Sequence, residues 1–291
     1  MQQARAILQV AATSTLLGWA SLHFFWDVPY RTFLWSESLS SGWVQALLGM
    51  NWKDYATSPI VDLWIQTGIQ LIGLFLAICA AAAALAHKRR SRLLIASSAS
   101  LAIVSLLLFK EAGYQLAMGI EYASQVLAPF FVYLAFSSRA RPEKLLLLAK
   151  LAVAATFAGH GLYALGYYAV PGHFIDMTIS ILGVDETQAR ALLRVAGVAD
   201  LAVALGVFLP ATARVSLLYA AAWGLLTTLA RPTNHIALGG DLAGLLYWSA
   251  EAICRVPHVA VPLAAFVLVR TDAKARVTEL PNKFLEPLTN V

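Results

Sequence analysis

The chain is a succession of apolar runs long enough to cross a lipid bilayer, and no other feature constrains its fold as strongly. A helix needs about 20 mostly apolar residues to traverse roughly 30 Å of hydrocarbon. Runs of this kind cover residues 6–26, 61–86, 93–110, 113–136, 145–169, 190–209, 212–230 and 240–268. Within lipid every backbone N–H and C=O must be paired internally, so runs of this length form helices. Of the 291 residues 59% are hydrophobic and 13% charged, against about 45–50% and about 25% in a soluble domain. That balance excludes a single soluble globule and intrinsic disorder. The first run continues through Trp19, His23, Phe24, Phe25 and Trp26 without a small-residue cleavage site, so it is expected to be a retained helix. Cys79 and Cys254 lie in separate runs, which excludes a disulfide scaffold or a zinc ribbon. The net charge of +5 reports membrane topology, since no nucleic-acid-binding motif accompanies it. The bilayer is the expected partner, and nucleic acid is not one.

The basic residues assign an orientation. His87, Lys88, Arg89, Arg90 and Arg92 follow the second run; Arg139, Arg141 and Lys144 follow the fourth; Arg214 follows the sixth; Arg270, Lys274, Arg276 and Lys283 form the tail. With eight spans these fall on one side. The other side holds Arg31, Lys53, Lys110 and Arg231 together with Asp27, Glu37, Asp54, Asp176, Asp185 and Glu186. An excess of Lys and Arg marks the cytoplasmic loops, so both termini of this multi-pass membrane protein are predicted cytoplasmic. Each of two external loops contains an amphipathic stretch, Leu39, Trp43, Leu47 and Met50 in one, Phe174, Met177 and Ile181 in the other. Both are expected to lie in the interface plane. Trp26, Tyr30, Trp35, Trp43, Trp52, Tyr55 and Trp64 suit a headgroup-level anchor belt.

The two halves of the sequence run in parallel. His23 corresponds to His160, Val28-Pro29 to Val170-Pro171, Leu48-Gly49 to Leu182-Gly183, Thr67-Gly68-Ile69 to Ala196-Gly197-Val198, and Glu121 to Glu251. The order is never broken. An even number of spans per unit gives both units the same orientation. The expected fold is therefore an all-α membrane protein of about eight transmembrane helices, arranged as two tandem four-helix bundles related by a parallel pseudo-twofold. The first repeat would take residues 1–138, the second 139–271, and a cytoplasmic tail 272–291.

In the second half the pattern becomes specific. Phe157-Ala158-Gly159-His160-Gly161 opens a bundle, Pro171-Gly172-His173-Phe174 follows outside it, and Ala196-Gly197-Val198-Ala199-Asp200-Leu201 with Gly206 leads to Ala213-Arg214. Over residues 145–232 this resembles the DoxX-like membrane proteins, a group that includes the small subunits of thiosulfate:quinone oxidoreductase. Asp200 stands where a glutamate is more often expected, and the first half has only Gln70 nearby. The resemblance implies a helical inner-membrane subunit tied to a redox or respiratory complex, with quinone as the implied ligand and other membrane subunits as implied partners.

Ionisable groups within a span cost about 2.5–3.5 kcal/mol each on insertion scales, so they need partners or water. His160, Asp200, Glu251, Tyr163 and Arg255 form the candidate polar pocket, with His160 the expected partner of Asp200 and Glu251 pairing with Arg255 at i, i+4. Pro257 removes a backbone donor and loosens the helix below them. His258 lies close by, Arg194 is expected near the external end, and His173 and His235 could cap the pocket from outside. A histidine beside a carboxylate can exchange protons near neutral pH, as binding of a quinone head group requires; the alternative is a polar network that fixes helix register. His23, Asp27, Glu121 and Arg31 form a candidate first-half cluster, covered by Tyr30 and Trp35. No HxxxH or ExxH spacing supports a metal site. Haem is disfavoured because His23 and His160 belong to different halves.

Two other functions compete with a redox-associated subunit: a non-catalytic assembly subunit, and a small-solute or proton transporter. The sequence shows no obvious helix breaks at matching points in both halves, apart from Pro257 and Pro262, and this weakens the transporter reading. Whether the chain is an enzyme is left open.

Overall fold

A computed structural model describes the backbone of residues 1–86, 91–137 and 141–283, and their side chains as far as Arg270. His87, Lys88, Arg89, Arg90 and Arg139 lie outside the described residues, as do the side chains of Lys274, Arg276 and Lys283 and the end of the tail. Among the described residues all regular elements are helices, and there are no strands. The helices are α1 (Gln2–Phe25), α2 (Tyr30–Leu34), α3 (Glu37–Leu48), α4 (Trp52–Thr57), α5 (Pro59–Ala84), α6 (Leu93–Glu111) and α7 (Leu116–Glu121). They continue as α8 (Ala123–Ala135), α9 (Pro142–Leu165), α10 (Gly172–Leu182), α11 (Glu186–Gly206), α12 (Ala213–Ala237), α13 (Leu242–Cys254) and α14 (Pro257–Lys283).

Five helices are long and apolar enough to span a bilayer: Pro59–Ala84, Leu93–Glu111, Pro142–Leu165, Ala213–Ala237 and the α13–α14 pair over Leu242–Arg270. Their outward surfaces carry large apolar side chains such as Leu63, Leu71, Leu106, Val215 and Leu226, all exposed. In water such a surface would aggregate; against lipid it is at home.

The termini of these helices follow from local chemistry. Asp185 accepts from the backbone N–H of Gln188 while the Gln188 side chain accepts from the Asp185 N–H, a capping box that starts α11. Asp241 accepts from Gly244 N at the start of α13, and Ser58 with Pro59 at the first helical position starts α5. α6 and α12 end alike. The Tyr114 N–H donates to Phe109 O at 2.8 Å and the Gly240 N–H to His235 O at 2.9 Å, across left-handed Gly113 and Gly239.

The core is built around α1 and α9. In α1 the buried residues include Ala4, Leu8, Ala11, Ala12, Thr15, Leu16, Trp19, Leu22 and His23, recurring at three- and four-residue spacing on a wide face. That face meets α5 and α8 from its own half, and α13 and α14 from the other. α9 packs in the same manner against α11 and α14, and against α7 and α8 across the halves. Gln9 Nε2 donates to Ala86 O at 2.8 Å and Arg5 Nε to Ala135 O at 2.9 Å, which fastens the start of α1. One continuous apolar cluster runs from Leu8 and Leu76 through Phe131 and Phe157 to Leu217 and Val261. The halves thus interlock through shared packing and do not stand as separate bundles side by side.

Two of the expected continuous spans are interrupted. Residues 113–136 fold as α7 and α8 with Tyr122 between them, and residues 240–268 as α13 and α14 with Arg255 and Val256 between them. At the second interruption the backbone tightens to three-residue bonds, Arg255 N–H to Ala252 O at 3.0 Å and His258 N–H to Arg255 O at 2.8 Å. Pro257 supplies no N–H there, as its position in the sequence implies. The aromatic residues of the first external segment form more than a belt. Val44, Tyr55 and Val61 make a small second core, packed by Trp43, Trp52 and Ile65.

Candidate ligand-binding site

Both interruptions fall on one buried polar cluster. Glu121 closes α7, Arg255 lies between α13 and α14, and His258 opens α14. His160 Nδ1 is 3.5 Å from Glu121 Oε2. Arg231 Nη1 and Arg255 Nε each lie 3.8 Å from Glu251 Oε2. The His160 and His258 rings meet edge to face at 5.4 Å between centroids. Trp19 Nε1 donates to Gln125 Oε1 at 3.0 Å, and Gln125 Nε2 is 3.4 Å from His258 Nε2. Two carboxylates, Glu121 and Glu251, thus balance two guanidiniums, Arg231 and Arg255. An uncompensated charge in so dry a place would cost several kcal/mol.

Glycines bring these groups together. A Cβ on Gly159 would stand 2.8 Å from Glu121 Cβ and 2.9 Å from its backbone N, so only glycine lets α7 lie this close to α9. A Cβ on Gly161 would stand 3.0 Å from Gly197 O and 3.2 Å from Asp200 Cβ. The Gly-His-Gly sequence therefore seats α7 with its first glycine and α11 with its second, and projects His160 between them.

Beside the cluster lies a cavity of about 410 Å³, within the roughly 300–1,000 Å³ typical of small-molecule sites. Its walls are mostly apolar and come from α9, α10, α11 and α12, including Phe157, Phe174, Met177, Ile181, Leu193 and Trp223. Its polar lining is His160, Asp200, Arg231, Arg255 and His258 together with threonines. His160 keeps 20% of its side-chain surface accessible and lines this space. The amphipathic α10 roofs the cavity: Phe174, Met177 and Ile181 turn into it. The hydroxyl of Ser180 on the same helix donates to Asn234 of α12 and ties the roof down.

The site differs from the sequence expectation at several positions. His160 pairs with Glu121 of the other half, whereas Asp200 has no such partner. Asp200 is 3% exposed and its Oδ1 has no hydrogen-bond partner. The reason is register: α9 and α11 touch backbone to backbone at Gly161 and Gly197, and the imidazole Nδ1 turns toward α7. Glu251 and Arg255 do lie together, as i, i+4 spacing requires, and Arg231 completes the group. Tyr163 is buried against Tyr168 at 5.6 Å between ring centroids, away from the cavity wall.

Arg231 is a residue that sequence reasoning placed in an external loop. It lies inside α12, 6% exposed, over the Trp248 ring at 5.7 Å. His258 and Gln125 also belong to the cluster. A glutamine among apolar residues on α8 was the only signal for Gln125.

The first-half cluster separates. Glu121 leaves it for His160. His23 is fully buried, with Nδ1 2.6 Å from Trp19 O and Nε2 3.1 Å from the Tyr30 hydroxyl. Arg31 pairs with Asp27 at 2.8 Å and Asp62 at 3.0 Å, donates to Gln66 at 3.1 Å and lies over Trp35. This is a strut that holds α2 against α5. His235 Nε2 contacts Asp241 O at 2.9 Å and fixes the turn between α12 and α13, off the cavity. Arg194 is exposed. His173 on the roof helix is partly buried, and that burial, with Arg231 and Arg255 nearby, pushes its imidazole from 6.5 down to about 3. Among the described residues no group of three or more His, Cys, Asp or Glu side chains is arranged to hold a metal ion.

Fold and site define a helical multi-pass membrane protein with a polar cluster at the wall of a lipophilic cavity. Residues 154–236 match the model of the DoxX-like family, so the resemblance seen in the sequence holds over that segment. The match takes in His160, Asp200, Arg231 and the roof helix; Glu121, Glu251, Arg255 and His258 lie outside it. No curated protein matches the chain, and no solved structure does.

Proposed function

We propose that the protein binds a lipophilic small molecule with a polar head, of the quinone class, and serves as a DoxX-like subunit of a redox-associated complex in the bacterial inner membrane. The observation that carries this reading is the juxtaposition of an apolar-walled cavity of about 410 Å³ with His160, Asp200, Arg255 and His258 on its wall. Apolar walls suit a ring and tail drawn from the bilayer; the few polar groups orient a head. His160, set beside Glu121, is a group that can exchange a proton with such a head. The electron exchange belongs to partner subunits in this reading. The test is a titration of the purified protein in nanodiscs with decylubiquinone, against an Ala196→Trp variant that fills the cavity. Saturable binding lost in that variant is expected; identical behaviour of the two proteins would sink the reading.

The architecture assigned to this subunit is eight spans in two tandem units, with α1 and α11 as spans and α7–α8 as a further, interrupted one. Support comes from matched packing: α1 with α5 and α9 with α11, α6 with α8 and α12 with α14, α1 with α13 and α14 and α9 with α7 and α8. Further support is the shared capping of α6 and α12 and the left-handed glycines Gly49 and Gly183 that end α3 and α10. A rotation axis lying far from the membrane normal, when one half is superposed on the other in an experimental structure, would reject the duplication. Cytoplasmic termini follow from the basic loops. In a cysteine-free background, an impermeant maleimide should label Ser38→Cys but not Ser91→Cys in intact cells, and the reverse pattern would invert the topology.

A second reading, solute transport, gains from the interruptions at Tyr122 and Arg255, which the assignment of two tandem units would pair. Discontinuous helices build substrate sites in transporters. Uptake of a labelled solute by proteoliposomes, absent from empty vesicles, would favour it.

A further inference from the structure

Asp200 is a buried acid that the rest of the cluster does not account for. Glu121 and Glu251 already balance Arg231 and Arg255, and His160 turns its Nδ1 to Glu121. Asp200 lines the cavity from α11 with 3% exposure, and its Oδ1 has no hydrogen-bond partner. A buried carboxyl oxygen without a partner loses the free energy of its lost hydration. Nothing obliges α11 to carry an acid here, because the neighbouring wall residues Leu193 and Ala196 are apolar.

The same wall supplies a second acceptor. When Glu121 accepts from His160 Nδ1–H, the neutral ring leaves Nε2 as a lone pair, because the hydrogen bond at one ring nitrogen sets the state of the other. It also supplies an orphan donor. Arg255 Nε, 3.8 Å from Glu251, is buried without a hydrogen-bond partner. With Asp200 as the carboxylate, the state that a hydrogen bond from a bound hydroxyl favours, a head group matched to this wall must donate as well as accept. A quinone carbonyl only accepts. A hydroxyl does both. An ammonium donates but cannot accept, and would leave the Arg255 Nε–H unpaired.

We propose that Asp200 is a specificity-determining residue, and that it selects a neutral amphiphile with a hydroxyl-bearing ring, a hydroquinone or phenol, over the corresponding quinone. The inference rests on the ligand-binding reading above and concerns binding alone; no bond is made or broken. A site built to hydrogen-bond a hydroxyl rejects an analogue that lacks it, because its own buried polar group is then left unpaired.

The experiment compares decylubiquinol and decylubiquinone, which share ring substituents and tail and differ by two hydrogens. Both are titrated anaerobically into wild-type protein, Asp200→Leu, Asp200→Asn and the cavity-filling Ala196→Trp in nanodiscs. Wild type is expected to bind the quinol more tightly by about tenfold or more, the worth of one hydrogen bond to a buried charged or polar group. Asp200→Leu should bring the two within about twofold, since no acceptor remains at that position. Asp200→Asn, close to isosteric, keeps an acceptor but adds an N–H donor that suits a carbonyl, so it should narrow the preference even if the leucine variant fails to fold. Equal binding of the two forms by wild type, or a quinol preference that survives both substitutions, overturns the role of Asp200 while the binding site stands. Failure of either form to bind wild type above Ala196→Trp overturns the site and the inference together.

Discussion

His160 of α9 and Glu121 of α7 meet at 3.5 Å across the boundary between the two halves of the chain. The imidazole belongs to the DoxX-like segment and the carboxylate does not. A carboxylate beside Nδ1 favours the proton on that nitrogen, so the chemistry that His160 presents to the cavity is coupled to a residue far away in sequence. Nitrogen-15 NMR of histidine-labelled protein should show His160 as the Nδ1–H tautomer. Glu121→Gln retains an acceptor and should keep that tautomer, whereas Glu121→Met should release the ring toward Nε2–H. Identical spectra for wild type and Glu121→Met would dissociate the two residues.

The contact exists only because Gly159 carries no side chain, and the seating of α11 on α9 depends in the same way on Gly161. Adding a methyl at Gly159 forces it to within 2.8 Å of Glu121 Cβ, and at Gly161 to within 3.0 Å of Gly197 O. Overpacking of this kind costs about 1–3 kcal/mol. Gly159→Ala and Gly161→Ala should each lower unfolding stability by that amount. Gly172→Ala, where a Cβ meets nothing within 4 Å, should change it by less than about 0.5 kcal/mol. Thermal or denaturant unfolding in one detergent compares all three, and equal losses at the three positions would refute the close approach.

Burial and the guanidiniums of Arg231 and Arg255 hold His173 neutral down to about 3, against 6.5 when free. Between these values the unfolded chain binds a proton at this position that the folded chain does not. Stability therefore falls as pH drops from about 6.5 toward 3 and is fully present above 6.5. His173→Gln removes the titration, so its stability should change less than that of wild type between pH 7 and pH 5. Parallel pH profiles for the two proteins would show that His173 has no part in the acid sensitivity.

The sequence revealed what periodicity and composition encode: apolar runs, the amphipathic α10, the loosening at Pro257, and the pairing of Glu251 with Arg255. These depend on neighbours along one helix. What it hid depends on which helices touch. Chain position groups Glu121 with the first half, yet the glycine at 159 draws α7 onto α9. Arg231 falls just past the apolar run 212–230 and so reads as a loop residue, whereas α12 runs through Pro232 to Ala237. The burial of Asp200 is legible in its apolar surroundings, but its lack of a partner depends on His160 facing away toward α7.

Arg231, the residue hidden most completely, gives the sharpest test of the charge balance. Removing one member of a buried ionic group leaves an uncompensated charge and costs about 3–5 kcal/mol, whereas replacing charges of both signs together is often close to neutral. Arg231→Met leaves Glu121 and Glu251 facing Arg255 alone, and Glu251→Met leaves Arg231 and Arg255 facing Glu121 alone. Each single variant should be strongly destabilised. The double variant restores one carboxylate to one guanidinium and should be more stable than either single variant. The coupling between the two positions should exceed about 1 kcal/mol, as expected for residues that share an ionic network. If the two losses simply add in denaturant unfolding, the 3.8 Å approach of Arg231 to Glu251 contributes nothing, and the cluster is not held by its charge balance.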